Sequence, residues 1–178
     1  MKDRVDNIIQ EWRERRPEID FTSAEVVSRL LRAAHYVQAR LDDIAAAYGL
    51  SHTGDLDVLL DLDRADPDRG RTPTELADLQ LVTPGGMTVR LNRLQQAGLI
   101  ERRPNPSDGR GVLIRLTPAG RDLANDALAP VIDTQADSLG RLGASDQSAL
   151  CDLLRDLLVS LGDVPPYRPA LAVKRMGR

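Results

Sequence analysis

The stretch TPTELADLQLVTPGGMTVRLNRLQQAGLIERRPNPSDGRGVLIRLT, residues 72–117, decides the fold. Its two Thr-Pro pairs, Thr72-Pro73 and Thr83-Pro84, each place a hydroxyl N-cap before a proline whose fixed φ suits a first helical turn. Glu75, three residues after Thr72, completes a capping box. The second helix runs to Gly98. Leu99-Ile100-Glu101-Arg102-Arg103 and Gly111-Val112-Leu113-Ile114-Arg115-Leu116 then read as antiparallel strands. Between them, Pro104-Asn105-Pro106-Ser107-Asp108-Gly109-Arg110 reads as a loop too long for a minimal hairpin turn. The order spells a helix-turn-helix followed by a β-hairpin wing, one of the architectures that carry nucleic-acid recognition.

Charge supports that reading only when the chain is divided. The whole carries a net charge of −3. Residues 1–80 hold 11 Lys/Arg against 17 Asp/Glu, residues 81–121 hold 7 Arg against 2 acids, and residues 122–178 hold 6 against 8. A basic block of +5 thus lies between flanks of −6 and −2, and phosphate contacts need local charge, not a basic average.

The flanks read as helical scaffolding. Val5, Ile8, Ile9 and Trp12 recur at helical spacing until Pro17. Thr22, three residues before Glu25, signals the start of a long helix with Val26, Leu30, Ala33, Ala34, Val37, Leu41, Ile44 and Ala45 along one stripe, stopped by Gly49. Ser51 is the expected cap of the next helix. Thr117-Pro118 opens another long helix containing Pro130, and Ser145 opens a last one rich in leucine. This is a mainly α chain: a winged helix-turn-helix at 51–117, N-terminal helices at 1–50 for a pocket and dimerisation, and C-terminal dimerisation helices with a tail at 118–178. The outer helices are more apolar than one chain of 178 residues buries with ease, so pairing across a two-fold axis is expected.

Several function classes fall away. No apolar run reaches the roughly 18 residues of a membrane span, and the N-terminus is too charged for a signal peptide. A single cysteine, Cys151, makes neither an intramolecular disulfide nor a metal cluster, which fits a reducing cytoplasm. Set among leucines, it is expected to be buried. His35 and His52 stand in no metal-ligand motif, and no nucleophile–base pair or phosphate loop supports an enzyme or a cofactor.

A helical wheel sorts the second helix of the motif. Met87, Leu91 and Leu94 form the inward stripe, with Gly85, Thr88, Val89 and Asn92 opposite and Arg93 at the margin. That outer set suits base reading: Asn for adenine, Arg for guanine or phosphate, Thr or Val methyls for thymine. A stiff loop with Arg110 near its tip suits a narrow minor groove, and Asp108 is placed to hold that guanidinium. Arg90 falls between Met87 and Leu91. An inward guanidinium needs partners.

The run RLQQAGLIERRP, then Asp108-Gly109-Arg110 and VLIRLTPAGR, resembles the multiple antibiotic resistance regulator (MarR) family of winged-helix dimers over roughly residues 24–162. The resemblance implies a homodimeric regulator, a repressor, on a palindromic double-stranded operator. It matches Thr83, Gly85, Thr88, Asn92, Arg93 and Arg110 to DNA-contacting positions, and Arg103 and Asp108 on the wing are grouped with them. Within the family, Trp12 in QEWRERRPEID, Asp57 in GDLDVL, Arg90 in TVRL and Arg102 in ERRP look like the urate-responsive branch. That likeness implies a pocket in which Arg90 and Arg102 bind an anionic purine, Trp12 packs on it and Asp57 is displaced by its charge. Another small anionic metabolite, such as an aromatic or aliphatic carboxylate, fits the same positions. So does an internal ion-pair network of Asp57, Arg90 and Arg102 with Trp12 in the core.

Overall fold

The computed structural model describes residues 2–66, 69–106 and 108–164, with the backbone alone for 108–110. In chain order the elements are α1 (Arg4–Arg15), α2 (Thr22–Ala47), α3 (Thr53–Asp63), α4 (Pro73–Leu79), α5 (Pro84–Gln96), β1 (Ile100–Asn105), β2 (Asp108–Leu116), α6 (Pro118–Ser138) and α7 (Ala144–Ser160). The helix-turn-helix is α4–α5 and the wing is the antiparallel β1–β2 pair.

Local signals set most of the boundaries. The Thr72 hydroxyl accepts from Glu75 N while the Glu75 carboxylate accepts from Thr72 N, closing the capping box of α4. Thr83 and Thr117 cap α5 and α6 by accepting from Gly86 N and Gly120 N. Gly49 and Gly98, at φ of 74° and 72°, end α2 and α5 in the left-handed region that a side chain disfavours.

Four expectations are corrected. Thr22 is not a cap but the first residue of α2, and its N–H and hydroxyl both donate to Asp20, at 2.9 and 2.7 Å. Ser51 does not cap α3. The N-cap is His52, without a side-chain bond of its own, and the carboxylate of Asp42 on α2 takes the Thr53 N–H and hydroxyl at 2.8 and 2.6 Å. α7 starts at Ala144 after Gly143, one residue before Ser145. The wing ladder continues through Pro104–Val112 to an Asn105–Asp108 pair, with a register shift between them. A bulge at 109–111 absorbs the extra residues that the sequence assigns to a long loop.

The core gathers under the reading helix. Leu56, Val58, Leu59 and Leu62 of α3 meet Leu76 of α4, Met87, Leu91 and Leu94 of α5, Ile100 and Ile114 of the wing, and Ala124 and Ala127 of α6. The inward stripe of α5 is therefore as the wheel places it. The α2 stripe is met only in its last turns: Ala45 is buried and Leu41 and Ile44 pack partly buried against the core, while Val26 is 61 % exposed. No residue of α7 is buried, and Leu153 and Leu161 stand 67 % and 68 % exposed. No described helix is long and apolar enough to cross a membrane.

Leu81, in the turn between α4 and α5, has φ of 53° with 58 % exposure. A left-handed leucine costs about 1–2 kcal/mol and here gives up little packing in return. Leu81→Gly is expected to raise unfolding stability by roughly 0.5–1 kcal/mol, part of the relief being offset by the freer unfolded chain. Urea denaturation measures it, and an unchanged midpoint would mean that the turn carries no strain.

Candidate functional site

α5 presents two surfaces. On the outer one Thr83, Gly85, Thr88 and Asn92 are exposed, with Val89 at 54 %. The Thr88 hydroxyl donates to Pro84 O at 2.8 Å. At the helix start a side chain on Gly85 would meet nothing within 4 Å, so the space above this turn is open to a phosphate backbone.

The arginines divide. Arg93 is turned inward: its Nε and Nη2 donate to Asp55 at 3.1 and 2.8 Å, and this fork raises the guanidinium above its usual range. Asp55 is buried in the first turn of α3, so Arg93 clamps the reading helix to the scaffold. Arg103 pairs with Glu101 at 2.8 and 2.9 Å, raising the one and lowering the other through that hydrogen bond. As an exposed pair it adds little stability, and its guanidinium stays available to DNA. Arg102 donates from Nη2 to Asn92 Oδ1 at 2.7 Å. The side chains of Asp108 and Arg110 lie outside the described residues.

Beneath α5 an open cavity of about 490 Å³ lies between α2, α3, the end of α4 and α5, and both Asp57 and Arg90 line it. Arg90 Nη1 donates to Gln80 Oε1 at 2.6 Å and to Gly54 O at 3.3 Å. Gln80, at the C-cap of α4, donates in turn from Nε2 to Asp61 Oδ2 at 3.0 Å, and Asp61 also takes Arg64. Gln80 and Asp61 are not legible as site residues in the sequence, because their roles come from contacts 10 and 19 residues away. Gly54 is the seat of Arg90: a Cβ there would overlap the Cζ, Nη1 and Nη2 atoms of its guanidinium. Among the described residues Arg90 forms no ion pair, and its Nε and Nη2 have no hydrogen-bond partner.

Asp57, an exposed residue of α3, faces the same open cavity. Loss of hydration against the wall pushes its carboxyl up to about 6, helped by the charge of Asp61 and then opposed by Arg90, with Asp42 adding to the rise. A carboxyl that holds its proton more tightly when folded stabilises the fold at low pH. That contribution is lost as pH rises through about 6, so ionised Asp57 is a cost at neutral pH. Asp57→Asn is expected to raise the melting temperature near pH 7.5 and to lose that advantage near pH 4. Solvent at the open cavity holds the gain below about 1 kcal/mol. Thermal melts across pH read this out, and a pH-independent gain would place its cause elsewhere.

Arg102 and Trp12 do not join Asp57 and Arg90 within one chain. Arg102 is on the wing. Trp12 is half exposed and stacks on Phe21 at 6.3 Å between ring centres, beside a separate cavity that Glu11, Glu14 and Arg15 also line. Ion pairs of Arg29 with Asp3 and Asp6, and of Arg13 with Glu25, hold α1 to the first part of α2. The internal network of Asp57, Arg90 and Arg102 is not formed either; the inward guanidinium is met by neutral oxygens. His35 and Tyr36 are exposed and in edge-to-face contact. Cys151 is exposed, against expectation, because nothing among the described residues covers α7 enough to bury any of it; its Sγ accepts from Arg155 at 3.5 Å.

Comparison with known proteins agrees with this geometry. The MarR family model matches residues 48–111. The chain is 30 % identical over 150 residues to the HTH-type transcriptional regulator PecS of Dickeya dadantii, covering 84 % of this chain and 90 % of that one. It is 39 % identical over 88 residues to the multiple antibiotic resistance protein MarR of Salmonella typhimurium, covering 49 % and 61 %. Among solved structures it is similar to a mutant MarR from E. coli complexed with operator DNA, with a TM-score of 0.68, 27 % identity and coverage of 78 % and 97 %. The fold is also that of AbsC from Streptomyces coelicolor, with a TM-score of 0.74, 19 % identity and coverage of 82 % and 98 %. The chain belongs to the MarR family of winged-helix transcriptional regulators, which are DNA-binding regulators and not enzymes.

Proposed function

We propose that this regulator is a homodimeric repressor whose operator binding is released by a small anionic ligand, a urate-like purine, in the cavity under α5. The observation that carries the reading is Arg90: a guanidinium on the reading helix that lines a cavity, with two nitrogens unpartnered among the described residues. A planar anion that takes this fork competes with Gln80 and Gly54 for it and adds its own charge beside Asp57. Arg90 and Asp57 are then repositioned together, and α5 moves with Arg90. For DNA to be released, the ligand must favour the moved state by several kcal/mol. A carboxylate metabolite satisfies the same fork and is the alternative ligand.

Dimerisation rests on the exposed apolar side chains of α2 and α7, among them Val26, Val27, Leu31, Leu153 and Leu158, which a second copy would cover. It also bears on Trp12. At 1.5 Å per residue, Phe21 and Asp42 stand roughly 30 Å apart along α2, so a ligand on Arg90 lies out of reach of the same chain's Trp12. The α1 helix of a second copy is the source of any tryptophan contact. On the DNA side, the outer face of α5 (Thr83, Gly85, Thr88 and Asn92), with Arg103, Asp108 and Arg110 on the wing, is the surface that docks.

The test titrates urate, xanthine and aromatic carboxylates against the full-length protein on DNA from its own promoter region, following DNA anisotropy and Trp12 emission together. Urate is expected to release DNA, and Arg90→Ala to abolish the response. If no anion in the series shifts DNA binding, the ligand-responsive reading fails. If the ligand releases DNA while Trp12 emission stays constant, Trp12 is outside the site in the dimer as well.

A further inference from the structure

The two residues that meet at the junction of α5 and the wing belong to different sequence readings, one for DNA and one for ligand. Asn92 is exposed on the outer face of the reading helix, and Arg102 reaches it from β1 with a 2.7 Å bond, the length of a charge-assisted contact. Arg102 is fixed at its base: it stands opposite Ile114 in the ladder, and Ile114 is fully buried. Unlike Arg93 and Arg103, it forms no ion pair among the described residues, so no neighbouring carboxylate draws the guanidinium away from Asn92.

An asparagine alone offers one acceptor and a two-hydrogen donor, the pair that matches adenine N6 and N7 in the major groove. Here one of the two lone pairs of that acceptor is engaged. With a guanidinium already on Oδ1, adenine's N6 amino group would have to share the oxygen's second lone pair beside other donors and a positive charge. Beside it stand the Asn92 amide NH₂ and the N–H groups of Arg102 that take no partner among the described residues, so donors dominate this front. In the major groove the base edge with two adjacent acceptors is guanine, through N7 and O6.

We propose that Arg102 is a specificity-determining residue of this regulator: by holding Asn92 Oδ1 it converts Asn92 from an adenine reader into half of a guanine-selecting unit. The inference rests on α5 as the DNA-reading helix and is independent of any ligand.

Selection from a random double-stranded pool with the full-length protein tests it, in wild type, Asn92→Ala, Arg102→Ala and Arg102→Lys. Both residues are exposed, so the variants keep the core. Wild type is expected to enrich guanine about 10-fold or more at one position of each half-site. Asn92→Ala and Arg102→Ala should both lose that preference, at the same position, with the rest of the site unchanged. Arg102→Lys keeps the charge without the fork and should retain overall affinity with a reduced guanine preference. Uniformly weaker binding of Arg102→Ala to every sequence, with the salt slope lowered by about 0.9, would make Arg102 a phosphate contact and overturn the proposal. Adenine enriched by wild type at the position Asn92→Ala affects would overturn it as well. No enrichment by wild type at all would overturn it together with the sequence-reading role of α5.

Discussion

Replacing Gly54 by alanine is expected to weaken operator binding about 10-fold or more, in the absence of any ligand, while the protein remains folded. The added methyl would occupy the space of the Arg90 guanidinium. What it displaces is the far end of a flexible side chain, not backbone, so the scaffold need not shift. Gly54 lies inside α3, where alanine gains up to about 1 kcal/mol of helix propensity over glycine. Stability should therefore hold while Arg90 loses both Gln80 Oε1 and Gly54 O. These are the bonds the proposed ligand would take, so the variant imitates the liganded state. Two measurements bear on this: DNA anisotropy, where tenfold corresponds to about 1.4 kcal/mol, and a thermal melt that should stay within a few degrees of wild type. Urate should then have little further effect. A variant that binds operator like wild type and still responds to ligand would show that the seat of Arg90 is not coupled to the reading face of α5.

The sequence is legible here wherever the deciding interaction is local. Thr72 with Glu75, Thr83 with Gly86 and Thr117 with Gly120 are three residues apart, so the boundaries of α4, α5 and α6 follow from neighbours in the chain. Met87, Leu91 and Leu94 are placed by periodicity alone. Contacts made at a distance are not legible. Asp42 starts α3 from 11 residues away in place of Ser51, a substitution visible only once α2 and α3 are packed. A wheel gives the angle of Arg93 on α5 but not that the first turn of α3 lies against that margin. Cys151 reads as buried because its helix is apolar, and burial depends on a partner that is not found among the described residues. The family resemblance draws Trp12 and Arg102 toward Arg90. In the folded chain α2 separates the first of them from the cavity, and the wing carries the second to Asn92.

Arg93 and Asp55 give the largest expected effect on stability, and an unequal one. The Asp55 side chain is 3 % exposed and that of Arg93 37 %. Arg93→Ala leaves a buried carboxylate without its fork, a cost of about 3–5 kcal/mol. Asp55→Ala leaves a guanidinium that already reaches solvent and swings outward, at about 1–2 kcal/mol for the lost hydrogen bonds. With roughly 2–4 °C per kcal/mol for a chain of this size, melting should fall by roughly 10 °C in the first variant and a few degrees in the second. Paired apolar substitution, Arg93→Met with Asp55→Leu, removes both charges and should recover most of the loss. The series also separates structure from DNA contact. If Arg93 acts by clamping α5 to α3, both single variants weaken operator binding, and the apolar pair restores binding along with stability. If it acts on DNA directly, Asp55→Ala frees it and binding is kept, whereas the apolar pair is stable and still fails to bind. Equal losses of stability in the two single variants would mean that the burial of Asp55 does not set the cost.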